Sequence, residues 1–376
     1  MDHLNNEESS SLDGFYTQHK PFSIFGALLV RKSISHQIIF CFTSVLLITK
    51  AFCRLYMIFD PTISRVTTAD YSFVKYEKTL KQLNSLLVGL VILHFMFNRQ
   101  LYIRYLNVYY SIAKNNFGLF STEFVVKWTK FNQLFLTLAL IVQLIITLDN
   151  YYVHYFNEFG FSLNMIVYSI VVYTAKCIEI LAIQFIIECC FYSQSTFLPL
   201  IDSLDTLAQS NNRPSQSDIN RITKSIRLYY SETIRSIRYM DRYLTYAILV
   251  FYSYFIGHCI FLFGTLFYSN QSTYIFFMSV FEFCIKSLYL FLVTYHLIRV
   301  NQLSVQMFDK VYDLSYSLNA DLSRRSINEI NLFLLRIGRN DVGFTLAGLC
   351  LVSPSFVSSV ATISLTIGLA LPNFIK

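Results

Sequence analysis

The chain has 376 residues, of which 54% are hydrophobic and only 14% charged, with a mean hydropathy of +0.46 and a formal net charge of +7. A soluble domain carries about 25% charged residues, so a soluble globular protein is excluded. With 36 Phe and 27 Tyr against 11 Gly and 6 Pro, breakers are too few for many short strands, and the long apolar runs are unlike the short alternating segments of a membrane β-barrel.

From the start of the chain, Met1 to Ser11 is polar and acidic and lacks the basic start and short apolar core of a secretory signal. The first membrane helix is therefore expected to act as its own insertion signal. Crossing a bilayer core of about 30 Å takes about 20 apolar residues. Seven runs meet this need: Ile34–Phe59, Leu80–Phe97, Phe131–Leu148, Phe161–Phe191, Tyr243–Tyr268, Tyr274–Ile298 and Pro354–Phe374. The fourth is long enough to project beyond the membrane. Val342–Val352 is apolar as well, but Gly343, Gly348 and Pro354 break it before the last span.

Lys and Arg in the connecting segments set the orientation. With the N-terminus inside, the inside segments hold 21 of them and the outside segments five. This bias places the N-terminus in the cytosol and, after seven spans, the C-terminus outside. The N-x-S/T sequon Asn270-Gln271-Ser272 lies between the fifth and sixth runs, on the outside in this topology, which makes Asn270 a weak glycosylation candidate. The eight cysteines lie in or beside apolar runs, so no extracellular disulfide framework is expected; Cys189-Cys190 reads as apolar filler on a helix.

Asp241-Arg242-Tyr243 spells the tripeptide best known from G-protein-coupled receptors, but its context differs. In those receptors it closes the third span, whereas here it opens the fifth run. N-P-x-x-Y is missing from the last span, and the charge bias puts the N-terminus on the opposite side. Asp241 and Arg242 read instead as the end of a cytosolic helix meeting the membrane.

Between the fourth and fifth runs, Gln209–Ser217 reads as turn and disorder. Ile219, Ile222, Ile226, Tyr229, Tyr230, Ile234 and Ile237 then recur at helical spacing and predict an amphipathic helix running straight into the fifth span. Phe197–Leu207 reads as a cytosolic extension of the fourth span. Such helices either lie on lipid headgroups or pack subunits into a bundle below the membrane. The several Ile, the missing Trp and the flanking polar residues favour packing.

Ser326-Ile327-Asn328-Glu329 has the S-x-x-E form of a capping box, opening a helix with Leu332, Leu334 and Leu335 that stops near Gly338. Ser353 before Pro354 reads as the cap and first turn of the last span, whose 21 residues reach about 31 Å. Phe344-Thr345-Leu346-Ala347-Gly348, preceded by Ile327-Asn328-Glu329 and Leu334-Leu335, resembles the F-T-x-x-G element of insect gustatory receptors. Thr366 to Phe374 is similar to that family's closing T-Y, five hydrophobics, Q-F. Thr366 and Phe374 match; Ile367 replaces the usual Tyr, Asn373 the usual Gln, and Pro372 is unusual in its position. The strict resemblance covers about 50 residues.

The resemblance implies a subunit of a tetrameric ligand-gated cation channel, homomeric or heteromeric, in the plasma membrane of chemosensory neurons, gated by a small-molecule tastant. It implies an anchoring bundle of cytosolic helices around the axis, a ligand pocket in the outer half of each subunit, and a last span lining the pore, with Asn373 and Phe374 as polar ring and hydrophobic gate. The expected fold is an all-α membrane protein with seven transmembrane helices and cytosolic helical extensions. Residues 1–33 form a cytosolic segment, 34–325 the first six spans with their extensions, and 326–376 a split last helix with a cytosolic part at 326–338 and the span at 354–374.

On the residues alone, Phe374, Ala370, Ile367 and Ile363 share one face, where four copies could form an apolar constriction. Ser355, Ser359, Thr362 and Thr366 share a neighbouring face, as pore lining or, the reading these small hydroxyl residues favour, as close helix packing. Ionisable residues inside a bilayer are costly and often functional. Glu282 and Lys286 at i, i+4 and Lys176 and Glu179 at i, i+3 can each self-neutralise on one helix face. They are read as structural pairs or, for Glu282, as a ligand contact that Gln143, Asp149, Asn164 and Tyr168 could join in a polar pocket. His258 reads as hydrogen-bonded packing.

No phosphate loop, H-E-x-x-H or nucleophile–base set supports an enzyme, and no cofactor or metal is expected. The net charge follows from membrane orientation, so lipid, not nucleic acid, is the expected surrounding partner. The closest alternative is an odorant receptor of the same superfamily. A small-solute transporter would need paired inverted repeats with broken helices, and no internal repeat is present.

Overall fold

Over its described residues each of the seven apolar runs is helical, and two of the helices are far longer than a bilayer core requires. The computed structural model describes residues 23–30, 34–59, 71–116, 119–151, 163–209, 216–268, 273–318, 324–338 and 341–375. The helices are α1 (Ile24–Val30), α2 (Ile34–Phe59), α3 (Tyr71–Phe97), α4 (Arg99–Asn116), α5 (Leu119–Tyr151) and α6 (Leu163–Ser195), followed by α7 (Leu198–Gln209), α8 (Gln216–Tyr268), α9 (Thr273–Leu318), α10 (Arg324–Ile337) and α11 (Pro354–Ile375). A two-stranded hairpin, β1 (Thr345–Leu346) and β2 (Cys350–Leu351), separates α10 from α11.

Among the described residues, six helices are long and apolar enough to cross a membrane. The 22 residues of α11 add a seventh of about 33 Å at 1.5 Å per residue. The 53 residues of α8 and 46 of α9 make helices of about 80 and 69 Å, more than twice the bilayer core. Both extend past the end of the bundle where the basic segments gather, so the cytosolic part is a continuation of the spans. Ile226, Tyr230, Ile234 and Ile237 of α8 are buried there, facing Val300, Leu303 and Met307 of α9 in one continuous core. Tyr230 ties the two helices together through Ser304 Oγ, 3.1 Å away. The extension of α9 past Ile298 was not anticipated, because its apolar residues thin out into a polar helix.

Two elements on this side were not foreseen. Helix α4 follows α3 after a single turn residue, Asn98, and carries Tyr102, Tyr105, Leu106, Tyr109 and Ile112 on one buried stripe. These residues pack against α8 and α6, and the rings of Tyr102 and Tyr243 stack at 5.6 Å, those of Phe95 and Tyr243 at 5.0 Å. Burial pushes the Tyr109 and Tyr110 phenols up, so both stay neutral at any physiological pH.

Helix α1 lies inside what the sequence suggested was a plain cytosolic segment, and it is held at both ends. At its N-terminus, the buried Glu188 carboxylate of α6 accepts the backbone N–H of Ser23 at 3.1 Å and the Ser23 hydroxyl. At its C-terminus, the Arg99 guanidinium donates to the carbonyls of Leu29 and, at 2.8 Å, Val30. An anion at the N-terminus and a cation at the C-terminus each complement the helix dipole and satisfy groups that a short helix leaves open.

The start of α10 departs from the capping-box expectation. The backbone is helical from Arg324, so Ser326 sits inside the first turn and not ahead of it, and Glu329 instead pairs with Arg227 of α8 at 3.1 Å. The helix buries Ile330, Phe333 and Ile337, each worth about 1.5–3 kcal/mol over exposure, and leaves Leu332 and Leu335 at 53% and 71% exposure. It ends where the N–H of Gly338 bonds the carbonyl of Leu334 at 2.8 Å.

Candidate ligand cavity and terminal helix

In the half of the bundle away from the basic segments, α2, α3, α5, α6, α8 and α9 enclose a cavity of about 720 Å³, inside the ~300–1,000 Å³ range of small-molecule sites. Of the five residues proposed from sequence as a pocket, Glu282, Gln143 and Tyr168 line it. Asp149 does not line it; its carboxylate accepts the Tyr274 hydroxyl. The Asn164 side chain lies outside the described residues, as does Asn270. Gln143 is locked to its own helix, donating to Thr147 Oγ1 at 3.3 Å while Thr147 Oγ1 donates back to the Gln143 carbonyl at 2.8 Å.

The charges within the membrane converge on this cavity. Lys176 Nζ and Glu179 Oε2 pair at 2.7 Å, as their i, i+3 spacing suggested. Glu179 also accepts Ser85 Oγ at 2.9 Å, and Lys50 Nζ donates to the same hydroxyl at 3.3 Å. The i, i+4 pair does not close within α9. Glu282 turns instead to His258 Nε2 of α8 at 3.0 Å and to Lys81 Nζ of α3 at 3.8 Å. Lys286 sits over the faces of Tyr254 and Phe255, 5.4 and 5.5 Å from their centroids. Cross-helix partners win because they neutralise Glu282 and join three helices at once. His258 is buried and hydrogen-bonded and belongs to this network.

Lys50, Arg54 and Lys81 were not proposed as site residues from sequence. Lys50 and Arg54 sit at i, i+4 in the first span and Lys78 and Lys81 at i, i+3 at the start of the second. Two basic pairs on consecutive apolar helices were the available signal. The Arg54 guanidinium lies 4.1 Å from the Tyr168 ring centroid, so Tyr168 serves as a cation platform in the wall.

The C-terminal motif resolves into a device. Ala347 and Gly348 have φ of +53° and +72°, and the N–H of Leu349 bonds the carbonyl of Leu346 at 2.9 Å. Two positive φ values mark the tight turn that matches strand twist. Phe344 is fully buried, and its carbonyl accepts Val352 N–H at 2.8 Å. Thr345 binds Asp241 of α8 through its N–H at 2.6 Å and its hydroxyl at 2.9 Å. Ser353 then caps α11, its Oγ accepting Phe356 N–H at 3.3 Å, with Pro354 in the first turn as expected.

Helix α11 touches the other helices mainly along α8, with Phe356 of its first turn against Tyr252. Ile363, Leu365, Ile367 and Leu369 are 47–58% exposed and Ala370 is half-buried. The hydroxyls of Ser359, Thr362 and Thr366 donate to carbonyls four residues back, at 3.0, 2.9 and 2.8 Å, so they are satisfied within the helix. Asn373 and Phe374 fall on the helical backbone of α11, with side chains outside the described residues.

No family model and no curated protein matches the sequence. The fold is shared with solved structures. The insect olfactory receptor OR5 from Machilis hrabei superposes with a TM-score of 0.67 at 12% identity, covering 90% of each chain. The same receptor in complex with eugenol gives 0.67 at 14% identity, covering 91% of each. The chain thus shares the all-α, seven-helix membrane fold of that olfactory receptor.

Proposed function

We propose that this chain is a subunit of a ligand-gated cation channel of the insect chemoreceptor type, gustatory by its C-terminal motif, and that copies assemble around α11. The supporting observation is the terminal helix: a 22-residue apolar span anchored at one end by the hairpin on Asp241 and exposing Ile363, Leu365, Ile367 and Leu369. In a tetramer, Ile363, Ile367, Ala370 and Phe374 supply the apolar constriction, Asn373 a polar ring at its outer end, and Leu332 and Leu335 of α10 the contact between subunits in the cytosol. The cavity takes the small-molecule ligand, with Glu282, Gln143 and Tyr168 in its wall. The expected setting is the plasma membrane of a chemosensory neuron.

An odorant receptor is the second reading. Likeness to an olfactory receptor favours it, while Phe344, Thr345 and Gly348 with Thr366 and Phe374 favour a gustatory one. Whole-cell recording with G-protein signalling blocked tests the channel reading. A leak or ligand-evoked cation current that Phe374→Ala alters supports it; a chain at the surface that passes no current, alone or with co-expressed chemoreceptor subunits, overturns it.

A further inference from the structure

We propose that the cavity selects an organic anion: an acidic head on an apolar body. The inference deepens the receptor reading, since it takes the cavity as that receptor's ligand site.

The described lining carries six cations, Lys50, Arg54, Lys78, Lys81, Lys176 and Lys286, against two carboxylates, Glu179 and Glu282. Both carboxylates are already engaged, Glu179 by Lys176 and Ser85 and Glu282 by His258 and Lys81. Lys50 and Lys286 have no carboxylate within 4.0 Å among the described residues; one rests on the Ser85 hydroxyl, the other on two ring faces. An ammonium inside a membrane is costly unless paired, so at Lys50 and Lys286 the wall holds positive charge that the described residues leave without a carboxylate partner.

A second observation points the same way. Tyr254 lies in this wall at 4% exposure, between Lys176 at 5.8 Å and Lys286 at 5.4 Å from its ring, and among the described residues its buried hydroxyl has no hydrogen-bond partner. A buried hydroxyl left unmade costs free energy, and beside two ammoniums the complementary atom is an acceptor carrying negative charge. Cations are repelled, and a neutral ligand leaves the excess charge standing.

The remaining wall is apolar. Val91, Phe95, Ile183, Ile186, Ala247 and Phe251 line the stretch toward the basic end of the bundle. The cavity is therefore amphipathic along its length, with charge at one end and hydrocarbon at the other. A medium-chain carboxylate fits that pattern. So does a lipid headgroup phosphate with its chains, which shares the anionic chemistry.

The test is saturable binding to the purified chain in phosphatidylcholine nanodiscs, with octanoate against octanamide and decanoate against decanamide as matched probes. The acids should bind about tenfold or more tighter than the amides, the scale of one charge-assisted hydrogen bond. Lys286→Gln, Lys50→Gln and Tyr254→Phe should each weaken the acids and leave the amides unchanged, while Lys286→Arg should retain acid binding. Phosphatidylserine that displaces octanoate would assign the site to a headgroup, and failure to displace it to a free acid; either supports an anion site. Amides binding as tightly as acids, acid binding indifferent to all three substitutions, or no saturable binding of either acid would overturn the proposal. Because binding is read without current, a chain that binds acids but never conducts would fail as a channel and stand as an anion site.

Discussion

Asp241 and Thr345 are joined by three contacts: the Thr345 N–H at 2.6 Å and its hydroxyl at 2.9 and 3.0 Å from the two carboxylate oxygens. They are 104 residues apart in sequence, and their junction is where the hairpin between α10 and α11 meets α8. Hydrogen bonds to a charged group contribute about 1.5–3 kcal/mol each. Asp241→Ala should lower the apparent melting temperature of the detergent-solubilised chain by several degrees, Thr345→Val by less because the backbone bond survives, and Thr345→Ser by least. Equal melting for all three would mean the hairpin is held by Phe344 and its packing alone.

The hairpin also ranks its glycines. Gly343 has φ +151°, and a Cβ there would lie 2.9 Å from Leu351 Cδ1 and 3.2 Å from Asn301 Cβ. Gly348 has φ +72° with open space around it. Gly348→Ala therefore meets only the backbone penalty of about 1–2 kcal/mol for a left-handed residue, whereas Gly343→Ala adds a clash inside the core. Ala347, already at φ +53°, should be relieved by Ala347→Gly. The expected order of melting temperatures is Gly343→Ala lowest, then Gly348→Ala, then the unsubstituted chain, with Ala347→Gly at or above it. A Gly348→Ala variant less stable than Gly343→Ala would refute this account of the motif.

The spans were legible because twenty apolar residues leave few alternatives, and the α8 extension because Ile226, Tyr230, Ile234 and Ile237 keep the helical period. Helix α4 was legible in principle, since Tyr102, Tyr105, Leu106, Tyr109 and Ile112 share that period, but tyrosines in a basic stretch read weakly as core. Partner choice was not legible. The spacing of Glu282 and Lys286 allowed a pair that tertiary geometry replaced with His258 and Lys81. Asp241-Arg242-Tyr243 was correctly set apart from a receptor signature, yet its role required seeing Thr345 arrive from the far end of the chain. The F-T-x-x-G element was visible as a string, and its meaning lies in the positive φ of Ala347 and Gly348.

The ends of α1 offer a separate test. Arg99 supplies its C-terminal carbonyls with donors and Glu188 its N-terminal N–H with an acceptor, while Phe25 and Leu29 are buried beneath. Arg99→Met keeps the stem and removes the donors, and Glu188→Gln keeps the shape and removes the charge. Each should raise hydrogen exchange across residues 24–30 by about tenfold, on the scale of 1–2 kcal/mol for a charge near a helix end, while the spans stay protected. Unchanged exchange would show that Phe25 and Leu29 hold α1 without its caps.

The exposed leucines of α10 decide whether copies meet below the membrane. Leu335 and Leu332 stand at 71% and 53% exposure in a single chain, on the face away from Phe333 and Ile330. In a lone subunit Leu335→Asp touches nothing and should leave melting and helix content as they are, within about 0.5 kcal/mol. In an assembly packed through that face it places one carboxylate per subunit in an apolar contact, at a cost of several kcal/mol for each unpaired buried charge. Size-exclusion with light scattering in detergent should then show a tetramer for the unsubstituted chain and smaller species for Leu335→Asp, with Leu335→Met retaining the tetramer. A tetramer that survives Leu335→Asp and Leu332→Asp together would move the subunit contact off α10 and leave α11 to carry the assembly alone.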